Sequence, residues 1–143
     1  MKKLGSVMCL FVLAAFGFAA PKPSQTAVQP FPKTLINARY VYVTSYDGGQ
    51  FNRNILPEDR QAIADVENAI REWGRYILVY NPKDADMILA VQKRGSEDVL
   101  AVYDPAFNRS STYLWRAMGR GGLDQNELPL FSDFRTAVEN ASK

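Results

Sequence analysis

Along this chain apolar residues recur at two spacings, every second residue and every third or fourth, and the switches between them mark the elements. From Leu35 to Ser45 the sequence is apolar and β-branched, with Tyr40, Val41, Tyr42, Val43 and Thr44 at its centre. Both parities carry side chains that can be buried, which predicts a strand covered on both faces. Asp47-Gly48-Gly49 ends it and opens a loop that runs to Leu56. Ile63, Val66, Ile70 and Trp73 then recur on one helix face, with Glu67, Arg71 and Glu72 assigned to the others. Pro57 fits the first helical position, Glu58 and Asp59 set negative charge at the positive helix end, and Gly74 fits the residue just past the last turn. Trp73 is expected to be buried where this helix meets the sheet.

Four more strands are predicted over Arg75–Tyr80, Met87–Gln92, Val99–Tyr103 and Thr112–Met118, with turn-rich links between them. After a loop from Gly119 to Leu128, the spacing of Phe131, Phe134, Ala137, Val138 and Ala141 predicts a second amphipathic helix. The order is therefore β-α-β-β-β-β-α. A right-handed crossover through the first helix lets the first two strands lie parallel, and the short later links favour an antiparallel meander. The expected fold is α+β, a two-layer sandwich in which two helices pack on one face of a mixed, mostly antiparallel sheet. The other face, where some tyrosines must point, is either solvated or a contact surface. This domain spans residues 35–143, after a flexible lead-in over 20–34 that carries Pro21, Pro23, Pro30 and Pro32.

The first residues have a different character. Met1-Lys2-Lys3 is basic, and Leu4 to Phe18 is an uncharged, mostly apolar run too short to span a bilayer comfortably. Gly17 and Ala19 supply the small residues that a signal peptidase requires, so residues 1–19 read as a bacterial-type signal peptide and the mature chain begins at Ala20. Cys9 precedes the main apolar stretch, which argues against lipid attachment. This reading implies a periplasmic or secreted protein with no transmembrane anchor after cleavage. The full chain has 17 basic and 15 acidic side chains, and loss of Lys2 and Lys3 brings the two into balance. No basic stretch then points to nucleic acid. Asn108-Arg109-Ser110 and Asn140-Ala141-Ser142 match the N-glycosylation pattern, which matters only in a eukaryotic secretory pathway.

The composition excludes much chemistry. The chain has no histidine, and its single cysteine lies in the leader, so Ser-His-Asp and Cys-His catalysis and the usual zinc sites have no residues to use. No metal or cofactor site is expected. Carboxylates remain, and Asp84 and Asp86 would share one face of a strand, as paired general acid and base work requires. Their turn position gives the simpler reading, in which Asp84 caps a turn and Asp86 opens the next strand. Glu97-Asp98 and Asp104-Pro105 also fall in predicted turns. Asp47 to Asn54 lacks the alternation and closing glutamate of a calcium loop, and Gly119-Arg120-Gly121-Gly122 follows a strand with no helix start placed to hold phosphate. Tyr113, Trp115, Arg116 and Arg120, with Arg109, are candidates for a ligand surface of cations and aromatics suited to sugars, anions or single-stranded nucleic acid. The competing reading makes them solvated edge arginines beside a core tryptophan.

Trp73-Gly74-Arg75-Tyr76-Ile77-Leu78-Val79, Pro82-Lys83-Asp84-Ala85-Asp86-Met87-Ile88-Leu89, Val102-Tyr103-Asp104-Pro105 and Tyr113-Leu114-Trp115-Arg116 together resemble small exported bacterial α/β proteins of unknown function. In its order of elements the chain is similar to the N-terminal domain of TolB and related envelope-assembly domains. The resemblance covers residues 35–141 and implies an envelope location and a binding role, with no catalytic residues. The expected function is that of a non-enzymatic envelope domain that binds a protein or envelope partner through its sheet face or edge. The alternatives are a carboxylate-dependent glycan hydrolase using Asp84 and Asp86, and a small-ligand binding module.

Overall fold

The computed structural model describes residues 28–106 and 112–143. The leader, Cys9, most of the proline-rich lead-in, Arg109 and the Asn108 glycosylation pattern lie outside the described residues. The elements are β1 (Tyr40–Ser45), α1 (Pro57–Trp73), β2 (Ile77–Leu78), β3 (Met87–Gln92), β4 (Asp98–Tyr103), β5 (Trp115–Gly119) and α2 (Pro129–Ala141). They form an α+β fold with a mixed sheet of five strands in the order β2-β1-β3-β4-β5. Both helices pack on one side of it. Among the described residues no helix is long and apolar enough to cross a membrane.

Helix α1 begins as its sequence suggests, with Pro57 in the first turn, and ends at Gly74, whose φ of 72° is left-handed. The Gly74 N–H closes the last turn on the Ile70 carbonyl at 3.1 Å. Ala62, Ile63, Val66 and Ile70 are fully buried. At about 1.5–3 kcal/mol for each large aliphatic side chain, this stripe holds the helix to the sheet. Glu67 is buried too, not on an exposed face, because it stands one turn from both Ile63 and Ile70 on the flank of that stripe. Burial raises its carboxyl above the usual value, and Arg71, 3.6 Å away, opposes that rise.

Strand pairing departs from a simple meander. Strand β1 lies between β2 and β3 and is parallel to both, and the antiparallel meander starts only at β3. The physical reason lies in Asp86. Its carboxylate accepts from the backbone N–H groups of Arg39 and Tyr40 at 2.9 and 3.0 Å, and its own N–H donates to the Tyr40 carbonyl at 2.8 Å. The link after β2 therefore returns past the start of β1 and enters the sheet on its far side. Strand β2 is two residues long, and beside it the Ile77 and Val79 N–H groups donate to the carbonyls of Arg39 and Val41 before the chain turns away.

Val41, Val43, Met87, Leu89, Val91, Leu100, Val102 and Trp115 face the helices and join Phe131, Phe134 and Val138 in one core. Trp115 is 1% exposed, and its ring meets Phe134 with centroids 5.7 Å apart. Trp73 is only half-buried, a correction to its expected position. It sits at the mouth of the core, edge-to-face with Tyr76 and Phe131, while Arg135 lies over its ring at 5.3 Å. In the β5–α2 loop Gly121 takes a left-handed φ of 66° and Gly122 serves packing. A side chain at Gly122 would overlap Leu130, whose N–H donates to the Gly122 carbonyl at 3.0 Å.

Removal of the fully buried indole in Trp115→Ala is expected to cost about 3–5 kcal/mol, while Trp73→Ala at the core mouth costs about 1–2 kcal/mol. Urea denaturation of the two variants measures the difference, and the reverse ranking would show that the core centre is misplaced.

Candidate functional site

The face of the sheet turned away from the helices carries the aromatic groups. In β1 the odd residues Val41 and Val43 go to the core, which sends Tyr40, Tyr42 and Thr44 to the opposite face. Register aligns three rows across that face: Tyr42, Ile88 and Tyr103; Thr44, Ala90, Ala101 and Arg116; then Gln92, Val99 and Met118. The middle row is built on small residues. Strand β1 is thus covered by helix on one face only, contrary to the expectation of cover on both.

Tyr46, just beyond β1, completes the surface. Its hydroxyl meets that of Tyr103 at 3.0 Å, and the two rings stand edge-to-face with centroids 6.1 Å apart. Burial, reinforced by this hydrogen bond, raises the Tyr46 phenol well above its ordinary value of 10.0, while the Arg116 charge pulls the other way. The Arg116 guanidinium lies over the Tyr113 ring at 5.3 Å. Its backbone N–H donates to the Gln29 side chain at 3.2 Å, and its Nε is buried with no partner among the described residues. Tyr46 thus pairs with Tyr103, and Arg116 with Tyr113. The Tyr42 hydroxyl lies against Gly49 of the β1–α1 loop, where an added side chain would overlap it.

Of the residues singled out in the sequence, Arg116 stands on this face and meets Tyr113, which lies just before β5. Trp115 does not join them: strand alternation turns it into the core, where its Nε1 donates to the Gln29 carbonyl at 2.8 Å. Arg120 lies beyond β5 at a separate depression that it lines with Lys93, Arg94, Asp98 and Asp124. Lys93 and Arg94, just after β3, are already paired in that depression. Lys93 Nζ lies 2.6 Å from Asp124, and Arg94 bonds Asp59 at 2.9 Å and Asp47 at 3.1 Å. Asp59 and Asp98, both inaccessible, supply the fixed points of this network. Asp59 accepts from the Lys93 N–H at 2.7 Å, and Asp98 accepts from the N–H groups of Arg94 and Leu123 at 3.0 and 2.9 Å.

Asp84 and Asp86 have different surroundings. Asp86 is occupied by the start of β1, and the two N–H groups there hold its carboxyl below the ordinary value. Asp84 lies exposed in a 3-10 turn that is capped by Asn81, not by Asp84 itself, with the Asn81 oxygen accepting from Lys83 N at 3.1 Å. Asp104 also serves its turn, accepting from the Ala106 N–H at 2.9 Å. Among the described residues no three Asp, Glu, Cys or His side chains converge as metal ligands would.

Sequence reasoning passed over Tyr46 and Tyr103. The available signal was parity in β1, where tyrosines and valines occupy opposite faces, but the partner of Tyr46 depends on a register that links β1 to β4 through β3. The class that fold and surface define is a two-layer α+β domain with a tyrosine-faced sheet. Comparison of the chain with protein-family models, curated proteins and solved structures returns no match.

Because Asp86 is held below its usual range, the folded state favours its ionised form, and that contribution is present above pH 3.8 and lost as pH falls through the lower folded value. Asp86→Ala is expected to lower the urea midpoint at neutral pH, with the gap to the natural chain closing in acid. A gap that persists unchanged at the lowest pH would contradict this role.

Proposed function

We propose that this chain is an exported, non-enzymatic domain of the cell envelope that binds a protein or envelope partner through the open face of its sheet. The observation that carries the reading is two held pairs, Tyr46 with Tyr103 and Arg116 with Tyr113, at the face of the sheet that points away from the helix-packed core. Tyrosine and arginine are enriched where binding energy concentrates, because they present a large apolar body with a polar tip. Here the phenols are held by each other, so less side-chain freedom is lost when a partner arrives. The export half of the reading is supported by the basic, apolar and small-residue order of residues 1–19. A glycan hydrolase would require a free carboxylate pair, and the Asp86 carboxylate is taken up by the Arg39 and Tyr40 N–H groups.

The test is capture from envelope extract by the mature chain, in parallel with a folded Tyr103→Ala/Arg116→Ala variant. The natural chain is expected to retain a partner whose recovery falls by about tenfold or more with the variant. Protein recovered from the periplasm or medium should begin at Ala20. Equal capture by both chains would remove the sheet face from the interaction, and a retained Met1 would remove the export reading.

A further inference from the structure

Between the two helices, in the layer opposite the tyrosine face, lies an open cleft of about 470 Å³. Small-molecule sites span roughly 300–1,000 Å³, so the cleft has the size of one. One wall is a single stripe of α1, in which Asp65, Asn68, Glu72 and Trp73 recur at helical spacing. The other is the turn before α2, where Gln125, Asn126 and Glu127 lead into Leu128, and the nearly buried Phe131 ring adds apolar surface. This turn is fixed in advance. Leu128 takes a left-handed φ of 39°, its N–H donates to the Asp124 carbonyl at 3.1 Å, and its own carbonyl accepts from the Phe131 and Ser132 N–H groups at 2.9 and 3.1 Å. Asp65 adds a chemical demand. Its Oδ1 accepts from the Gln61 side chain at 2.9 Å, while Oδ2 is shielded and has no partner among the described residues. An acceptor in that position gains from a donor brought to the cleft wall.

We propose that this cleft is a binding site for a short neutral saccharide. A sugar hydroxyl both donates and accepts, and two neighbouring hydroxyls match the paired polar atoms of a carboxylate or a side-chain amide. Asp65, Glu72 and Glu127 supply the carboxylates, and Asn68, Gln125 and Asn126 the amides. The C–H face of a sugar ring is apolar and rests on aromatic carbon, which Phe131 and the exposed part of Trp73 provide. Charged ligands fit less well. The lining sets three carboxylates against the one guanidinium of Arg135, which disfavours an anion. Among the described residues no three carboxylates converge as the ligands of one metal ion would. The place over the Trp73 ring that an organic cation would take is held by Arg135 at 5.3 Å, and Glu139 fixes that arginine at 2.8 Å.

The experiment titrates chain recovered from cells grown on labelled nitrogen with maltotriose, cellotriose and the trimer of N-acetylglucosamine, and with spermidine as the cationic control. The indole N–H signals are followed by NMR. At least one saccharide is expected to shift the Trp73 signal saturably and to leave that of Trp115, buried in the core, in place. Asp65→Ala and, independently, Glu72→Ala at an exposed position should each weaken that binding about tenfold while keeping the natural spread of amide signals. Raised salt should change the affinity by less than about twofold, as for an uncharged ligand. No response to any saccharide, equal binding by both variants and the natural chain, or a response to spermidine alone that salt abolishes would overturn the proposal. The Tyr103→Ala/Arg116→Ala chain should bind saccharide like the natural one. Cleft and sheet face share no residue, so the site stands even where that face binds nothing.

Discussion

A carboxylate with no access to water must be met by donors or it destabilises the fold, and Asp59 is such a group. It lies in the first turn of α1, and both of its donors come from the end of β3, the Lys93 N–H and the Arg94 guanidinium. This joint fixes where α1 starts relative to the sheet. Asp98 repeats the device across the hairpin, tying Arg94 and Leu123 and so bringing the loop before α2 to the same corner. Arg94 has a second arm, which reaches Asp47 and carries the constraint outward to the β1–α1 loop. A buried ion pair, a hairpin and an exposed loop are thereby linked through one guanidinium.

The two sides of the sheet follow from different rules. On the helix side, valines, leucines and Trp115 fill the core, where the Gln29 carbonyl meets the Trp115 N–H and the Tyr76 hydroxyl is buried with no partner among the described residues. On the open side, larger residues stand around Ala90 and Ala101, and phenol hydroxyls find one another. Such a surface keeps its polar tips available while its rings are held in place. That combination supports the reading of a binding domain, in which the scaffold does no chemistry itself but holds a few large side chains still.

Much of the fold was legible in the sequence because it depends on local periodicity. Met87–Gln92 matches the spacing of its apolar residues end to end, and α1 runs from Pro57 to Trp73 between a proline start and a glycine stop. What was not legible depends on distant partners. The place of β1 between β2 and β3 is decided by a side chain, Asp86, whose use as an acceptor for Arg39 and Tyr40 leaves no trace in its neighbours. Of the candidate surface, Tyr113 and Arg116 were within reach of residue type and spacing. Trp115 was lost to strand parity, and Tyr46 was invisible because its partner is 57 residues away. Asp59 read as a favourable charge at a helix start, which it is, but nothing local announces that it is also buried against Arg94.

The central claim is that the Asp59–Arg94 joint organises this end of the molecule, and the stability of Asp59→Ala tests it most directly. Loss of the carboxylate leaves a partly buried guanidinium and the Lys93 N–H without their acceptor, which is expected to lower the unfolding free energy by about 3 kcal/mol. Asp47→Ala removes only the exposed arm of the same arginine and is expected to cost no more than about 1 kcal/mol. Urea unfolding of both variants beside the natural chain gives the comparison. An Asp59→Ala midpoint equal to that of Asp47→Ala would contradict the account, and a markedly lower one would bear it out.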